Sequence, residues 1–205
     1  MQYNTIAIAQ WGLGNYNLWC DTKDKTRYNK FIKSANWLVN NLEQNGHNLW
    51  VWMHHFDFEY RDILKAPWYS GLAQGQGISV LLRAYKETND HKYLMIAEKA
   101  FDPFFHDVGS GGVIFTDNNG YKWLEEYIVD PPTHILNGFI WGLWGIYDYA
   151  IYRNDEDSLK LFKSLTKTII HYLQTYDNGF WSLYEHSGTK LEMIASPFYH
   201  RLHIV

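Results

Sequence analysis

The pattern of long apolar helix, short break and amphipathic helix recurs in this chain every 63 to 66 residues, and that period constrains the fold more than any other feature. Residues 6–19 are apolar nearly all round, Thr22-Lys23-Asp24 breaks the run, and residues 28–42 resume at helical spacing. There Phe31, Ile32, Ala35, Leu38, Val39 and Leu42 recur at three- and four-residue intervals, with Lys30, Lys33, Asn36 and Asn40 opposite. The spacing predicts a buried first helix and a half-exposed second. The pair returns as residues 72–85 and 91–101 around Thr88-Asn89-Asp90, and again as 135–149 and 159–172 around Arg153-Asn154-Asp155. Gln10, Gln74 and Asn137 correspond, as do Asp24, Asp90 and Asp155, and each aspartate suits the N-cap of the helix that follows.

A single helical hairpin cannot bury its own apolar face, so hairpins in series must stack. The prediction is a mainly α protein, an α/α toroid whose inner helices line a central cavity. Glycines inside the inner helices agree with this, since each costs ~1 kcal/mol of helix propensity against alanine and is offset by close approach of a neighbouring helix or a ligand. Ordinary crossings in a helix bundle would use such glycines too. Inserts at 48–60, 111–127 and 178–184 separate the hairpins; Val113-Ile114-Phe115-Thr116 and Tyr121-Lys122-Trp123-Leu124, joined by Asp117-Asn118-Asn119-Gly120, read as a β-hairpin. Each insert ends in a proline-led approach to an inner helix, at Pro67, Pro131-Pro132 and Pro197. The third begins a fourth inner helix close to Val205, so the toroid is expected to be incomplete at its C-terminus, with a completing segment or a homo-oligomer partner covering the edge.

At 205 residues the chain suits one domain. Aromatic residues make up 18%, with 10 Trp and 16 Tyr, more rings than a core requires, and flat hydroxylated ligands such as sugars stack on such rings. A net charge of −4 argues against nucleic acid as a partner. Cys20 is the lone cysteine, which rules out an internal disulfide. The sequence shows no membrane segment and no signal-peptide pattern, so the expected location is cytoplasmic.

Chemistry-bearing residues gather at insert ends and inner-helix starts: Glu125, Glu126 and Tyr127; Trp181, Tyr184, Glu185 and His186; Tyr199, His200, Arg201 and His203. On a toroid these positions face one end of the cavity. His200 and His203, or His54 and His55, fall short of a metal site without a third ligand, and no metal is expected. Ser70 lacks a nucleophile elbow, and Gly75-Gln76-Gly77 lacks the preceding strand of a nucleotide loop.

Four motifs resemble the C-terminal domain of the D-glucuronyl C5-epimerase family, enzymes that convert glucuronic to iduronic acid units within heparan-type polysaccharides. They are Pro67-Trp68-Tyr69-Ser70-Gly71-Leu72-Ala73-Gln74-Gly75-Gln76, Trp123-Leu124-Glu125-Glu126-Tyr127, Ile135-Leu136-Asn137-Gly138-Phe139 and Tyr199-His200-Arg201-Leu202-His203-Ile204, in family order. The resemblance implies an α/α toroid and a cofactor-free, two-base inversion at C5 of an anionic uronate polysaccharide. Glu126 and Tyr127 match the family's Glu-Tyr pair and Tyr199 its second tyrosine. Trp68, Tyr69, Gln74, Glu125, Asn137, Tyr184, His200, Arg201 and His203 are the expected substrate-binding residues, with His200 and Arg201 neutralising the uronate carboxylate. A further tyrosine of the animal enzymes aligns with Ser182, for which Tyr184 is the candidate replacement. The family's N-terminal β-region and membrane anchor lie outside these residues. Strand periodicity would turn Glu125, not Glu126, to the face of Tyr127; the family match favours Glu126 as base. The competing expectations are a polysaccharide lyase of the same C5-proton chemistry and an inactive glycan-binding remnant.

Overall fold

The structure, a computed structural model, describes residues 2–61, 63–189 and 193–204. Three helical hairpins follow one another: α1 (Thr5–Thr22) with α2 (Lys25–Asn40), α3 (Gly71–Thr88) with α4 (His91–Phe101), and α5 (Leu136–Arg153) with α6 (Glu156–Tyr172). A shorter helix, α7 (Pro197–His203), starts where a fourth inner helix was anticipated. Each outer helix is capped as its sequence indicates, with Asp24, Asp90 and Asp155 accepting from the amides of Thr26, Lys92 and Ser158. One residue earlier, Lys23, Asn89 and Asn154 take the left-handed conformation that ends each inner helix and turns the chain.

The inner helices form a row in which α3 lies between α1 and α5, with α2 and α4 behind. Helices α3 and α5 cross closely because both are glycine there. A Cβ on Gly75 would lie 2.6 Å from the Gly142 Cα, and one on Gly145 would collide with the Gly75 carbonyl. The central helix is buried on every side from Gly71 to Leu82. The expectation that α1 is buried does not hold in the same way. It lies at the edge of the row, so Trp11 and Leu18 remain 46% and 44% exposed while Ala9, Gly12 and Tyr16 face the core.

The inserts form two-stranded antiparallel pairs. The first contains β1 (Glu43–Gln44) with β2 (Trp50–Val51), and β3 (Phe58–Glu59) with β4 (Ile63–Leu64). The hairpin read from sequence is β5 (Ile114–Thr116) and β6 (Lys122–Leu124), in register Phe115 opposite Trp123. Among the described residues the third insert makes two isolated bridges, Asp177 with Ser182 and Leu183 with Ile194. No described helix is long and apolar enough to cross a membrane.

Candidate active site

Where β6 runs out, two adjacent glutamates take opposite roles. The strand ends at Leu124, and both Glu125 and Glu126 are buried, at 1% and 4% exposure. Glu125 turns back into the protein: one oxygen accepts from the His134 amide at 3.1 Å, and the other lies 2.5 Å from His134 Nδ1. A carboxylate beside Nδ1 puts the ring proton on that nitrogen. Both Glu125 oxygens are thus paired with His134.

Glu126 turns the other way, onto the first turn of α5. Its carboxyl lies directly over Gly138, where a Cβ would strike Oε2 and stand 2.6 Å from the Glu126 Cβ. Asn137 Nδ2 donates to Oε2 at 3.4 Å. Burial pushes the carboxyl up from 4.5 to about 7, opposed in part by hydrogen bonding from Tyr127. The hydroxyl of Tyr127 also interacts with Tyr184, and burial with the nearby Glu126 charge raises both phenols well above their ordinary value. Tyr199 is raised likewise, by burial first and by Glu126 second.

Helix α5 explains how residues so far apart in sequence converge. Asn137 and Trp141 are four residues apart and share a face. Asn137 meets Glu126 and Tyr184, and Trp141 lies edge-on to Tyr199 at 6.1 Å. The Tyr184 and Tyr199 rings are 5.5 Å apart, so the third insert and α7 meet over this face. Behind Tyr127 stands an aromatic wall: Tyr60 at 4.8 Å, Phe58 at 5.6 Å and Trp68 at 5.7 Å. Trp68 is stacked on His54 at 3.9 Å and, with Tyr69, Tyr60 and Thr133, also lines a cavity of about 580 Å³.

The remaining expected residues lie elsewhere or are otherwise engaged. Gln74 is fully buried in α3, donating to the carbonyls of Trp50 and Ala100 and accepting from the Trp52 amide, so it braces the first insert. Tyr69 is half-buried with its hydroxyl near the Gly112 carbonyl at 3.4 Å. The His200 ring stacks on Trp181 at 3.8 Å, and its Nδ1 accepts from the Ser182 amide at 3.1 Å. Ser182 Oγ bridges His200 and His203, 2.9 and 2.8 Å from their Nδ1 atoms. The position aligned with a family tyrosine thus ties α7 to the third insert. His203, lowered to about 4 by burial and by His200, is held neutral at pH 7. Arg201 is exposed and, two residues from Tyr199, does not share its face of α7. Among the described residues no three metal-ligating side chains converge.

Sequence reasoning did not assign His134, Gly138 or Tyr60. Gly138 and His134 sit within or beside a quoted motif, but only the packing shows what they touch.

A stacked-hairpin α/α fold with a buried carboxyl among tyrosines at one end defines the class, and solved structures agree on the fold. The chain superposes on the unsaturated glucuronyl hydrolase of Bacillus sp. GL1, described as responsible for glycosaminoglycan degradation, at a TM-score of 0.60 and 15% identity, over 90% of this chain and 49% of that one. It superposes on the cellobiose 2-epimerase of Spirochaeta thermophila at 0.60 and 11% identity, over 94% and 48%. Such likeness establishes an α/α toroid. Within that class the chain belongs to the D-glucuronyl C5-epimerase C-terminus family, whose model matches residues 44–205. It is 35% identical to the D-glucuronyl C5-epimerase of Caenorhabditis elegans across 85% of its own length and 30% of that protein's. It is also 33% identical to an uncharacterized protein of Methanocaldococcus jannaschii, across 75% and 49%. The chain thus spans between about a third and a half of these relatives.

Proposed function

We propose that this chain carries the proton-transfer site of a uronate C5-epimerase, inverting D-glucuronate units to L-iduronate in a heparosan-like polysaccharide or a lipid-linked glycan. The observation that carries the reading is the convergence of Glu126, Tyr127, Tyr184 and Tyr199 on one face of α5. The C5 hydrogen of a uronate is α to a carboxylate, so its removal needs a base close to neutrality and donors for the charge that builds on the carboxyl group. Glu126, at about 7, is that base. It takes the C5 proton as a carboxylate and becomes neutral, while the electron pair delocalises onto the uronate carboxyl. The Tyr127 and Tyr184 hydroxyls and the Asn137 amide are the donors that meet that charge. Tyr199, protonated because burial and Glu126 raise it, returns a proton to the opposite face of C5, and solvent exchange resets both groups. Inversion requires groups on two faces of the ring, which residues from different hairpins can supply and chain neighbours cannot. The aromatic wall of Tyr60 and Trp68 supplies stacking surface for neighbouring sugar units.

The test is product analysis after incubation with a glucuronate-containing oligosaccharide. Iduronate signals in the proton spectrum, without ultraviolet absorbance from a new double bond, are expected. Growth of that absorbance would make the chain a lyase, and binding with no chemical change would make it a glycan-binding module.

A further inference from the structure

We propose that Glu125 and His134 form a clamp that seats the start of α5 beneath Glu126, so that Glu125, idle in proton transfer itself, is the positioning residue for the base. The inference rests on the reading of Glu126 given above. Its starting point is an anomaly among the helices. Five of the six long helices carry a side-chain N-cap, from Asn4, Asp24, Ser70, Asp90 and Asp155. Among these six described helices α5 alone, the helix that supports the cluster, begins after Ile135 with none. Its first amide, Leu136, donates to the Tyr184 carbonyl at 3.1 Å, and the chain entering the helix is held from upstream, so that Asn137 and Gly138 meet the Glu126 carboxyl.

Glu125 is anchored on every side. Its amide donates to the Val113 carbonyl at 2.9 Å, and its carbonyl accepts from the Gly71 amide at 3.0 Å. That second contact requires glycine, because a Cβ at Gly71 would stand 2.5 Å from the same carbonyl. From this anchor the side chain holds His134 by both its amide and its ring. His134 lies just before α5 at a φ of 49°, a left-handed conformation uncommon for residues other than glycine, though histidine adopts it more readily than most. The ring stacks on Trp123 at 4.0 Å, and the carbonyl accepts from the Tyr176 hydroxyl at 2.5 Å. One residue thus carries Glu126 on its main chain and fixes the helix beneath Glu126 through its side chain.

The test compares His134→Ala with His134→Asn. Alanine loses the ring contact and disfavours positive φ, whereas asparagine tolerates that φ and can donate to Glu125. The primary readout is the carboxyl titration of Glu126 by carbon NMR in labelled protein whose fold is checked by circular dichroism. It is about 7 in the wild type and faces Tyr127, Tyr184, Tyr199 and Asn137. We expect His134→Ala to move it down toward 4.5 as the carboxyl becomes solvated, and His134→Asn to leave it near 7. His134→Ala leaves every group that faces Glu126 in place, so a fall reports displacement of the carboxyl toward solvent. A titration unchanged in folded His134→Ala overturns the clamp. Should that variant not fold, Glu125→Asp, one methylene short of His134, must show the same fall, and a value near 7 there overturns it equally. Turnover is the second readout: kcat should fall at least about tenfold in His134→Ala with KM unchanged and recover in His134→Asn. Absence of C5 exchange in the wild type would reject the epimerase reading and leave the titration result standing by itself.

Discussion

Replacing Glu126 with glutamine should stabilise the protein at pH 8 while removing its activity, and the size of the effect follows from burial. The carboxyl is held at about 7 where its ordinary value is 4.5. Between those values the folded protein keeps a proton that the unfolded chain has released, so stability is greatest below about 4.5 and falls as pH rises to about 7. At about 1.4 kcal/mol per pH unit, the loss is about 3 kcal/mol on reaching pH 8. Glutamine fills the same space and does not titrate. The difference in unfolding free energy between Glu126→Gln and wild type should therefore shift by about 3 kcal/mol in favour of the variant from pH 4 to pH 8. For a domain of about 200 residues that is roughly 6 to 12 °C in Tm. Thermal unfolding of both proteins across that range, followed by circular dichroism, measures it. Parallel pH curves, with a constant difference, would refute the reasoning, because they would mean that Glu126 is solvated and ordinary and not a base tuned toward neutrality.

Several further outcomes follow from the same geometry. The rate of C5 proton exchange should rise with pH through a limb near 7, since Glu126 must be ionised to act, and a limb near 4.5 would point to an exposed carboxyl. Gly138→Ala places a Cβ against the Glu126 carboxyl; a displacement of about 1 Å should reduce kcat on the order of 100-fold, measured by steady-state assay. Tyr199→Phe removes the proton donor on the second face and should lower kcat by roughly 100- to 10,000-fold, while the Glu126 titration changes little. Gly75→Ala should lower stability by at least about 1 to 3 kcal/mol by urea unfolding, because it forces α3 from the Gly142 backbone.

The helices were legible because their signals are local. Apolar spacing and an aspartate N-cap are written three times, and the structure uses them three times. The burial of α1 was not legible, since periodicity reports an apolar face but not whether a helix lies at the centre or the edge of a row. The two glutamates show where local reading stops. Alternation in a strand favours Glu125 beside Tyr127, yet β6 ends at Leu124, and the orientation of the next two residues is set by His134 and Gly138, nine and twelve positions downstream of Glu125 and Glu126 respectively. Gln74 is the complementary case: its place in a family motif suggested a ligand contact, and its hydrogen bonds run to backbone groups of the first insert and of α4, contacts that no spacing rule reveals.

Deuterium incorporation at C5 tests the central claim most directly. A glucuronate-containing oligosaccharide incubated in deuterated water with the wild-type chain should gain deuterium at C5 of its uronate units, read by mass spectrometry, and the same incubation with Glu126→Gln should yield none. Equal incorporation by the two proteins would contradict the assignment of Glu126 as the base, and no incorporation by the wild type would contradict the site as a whole.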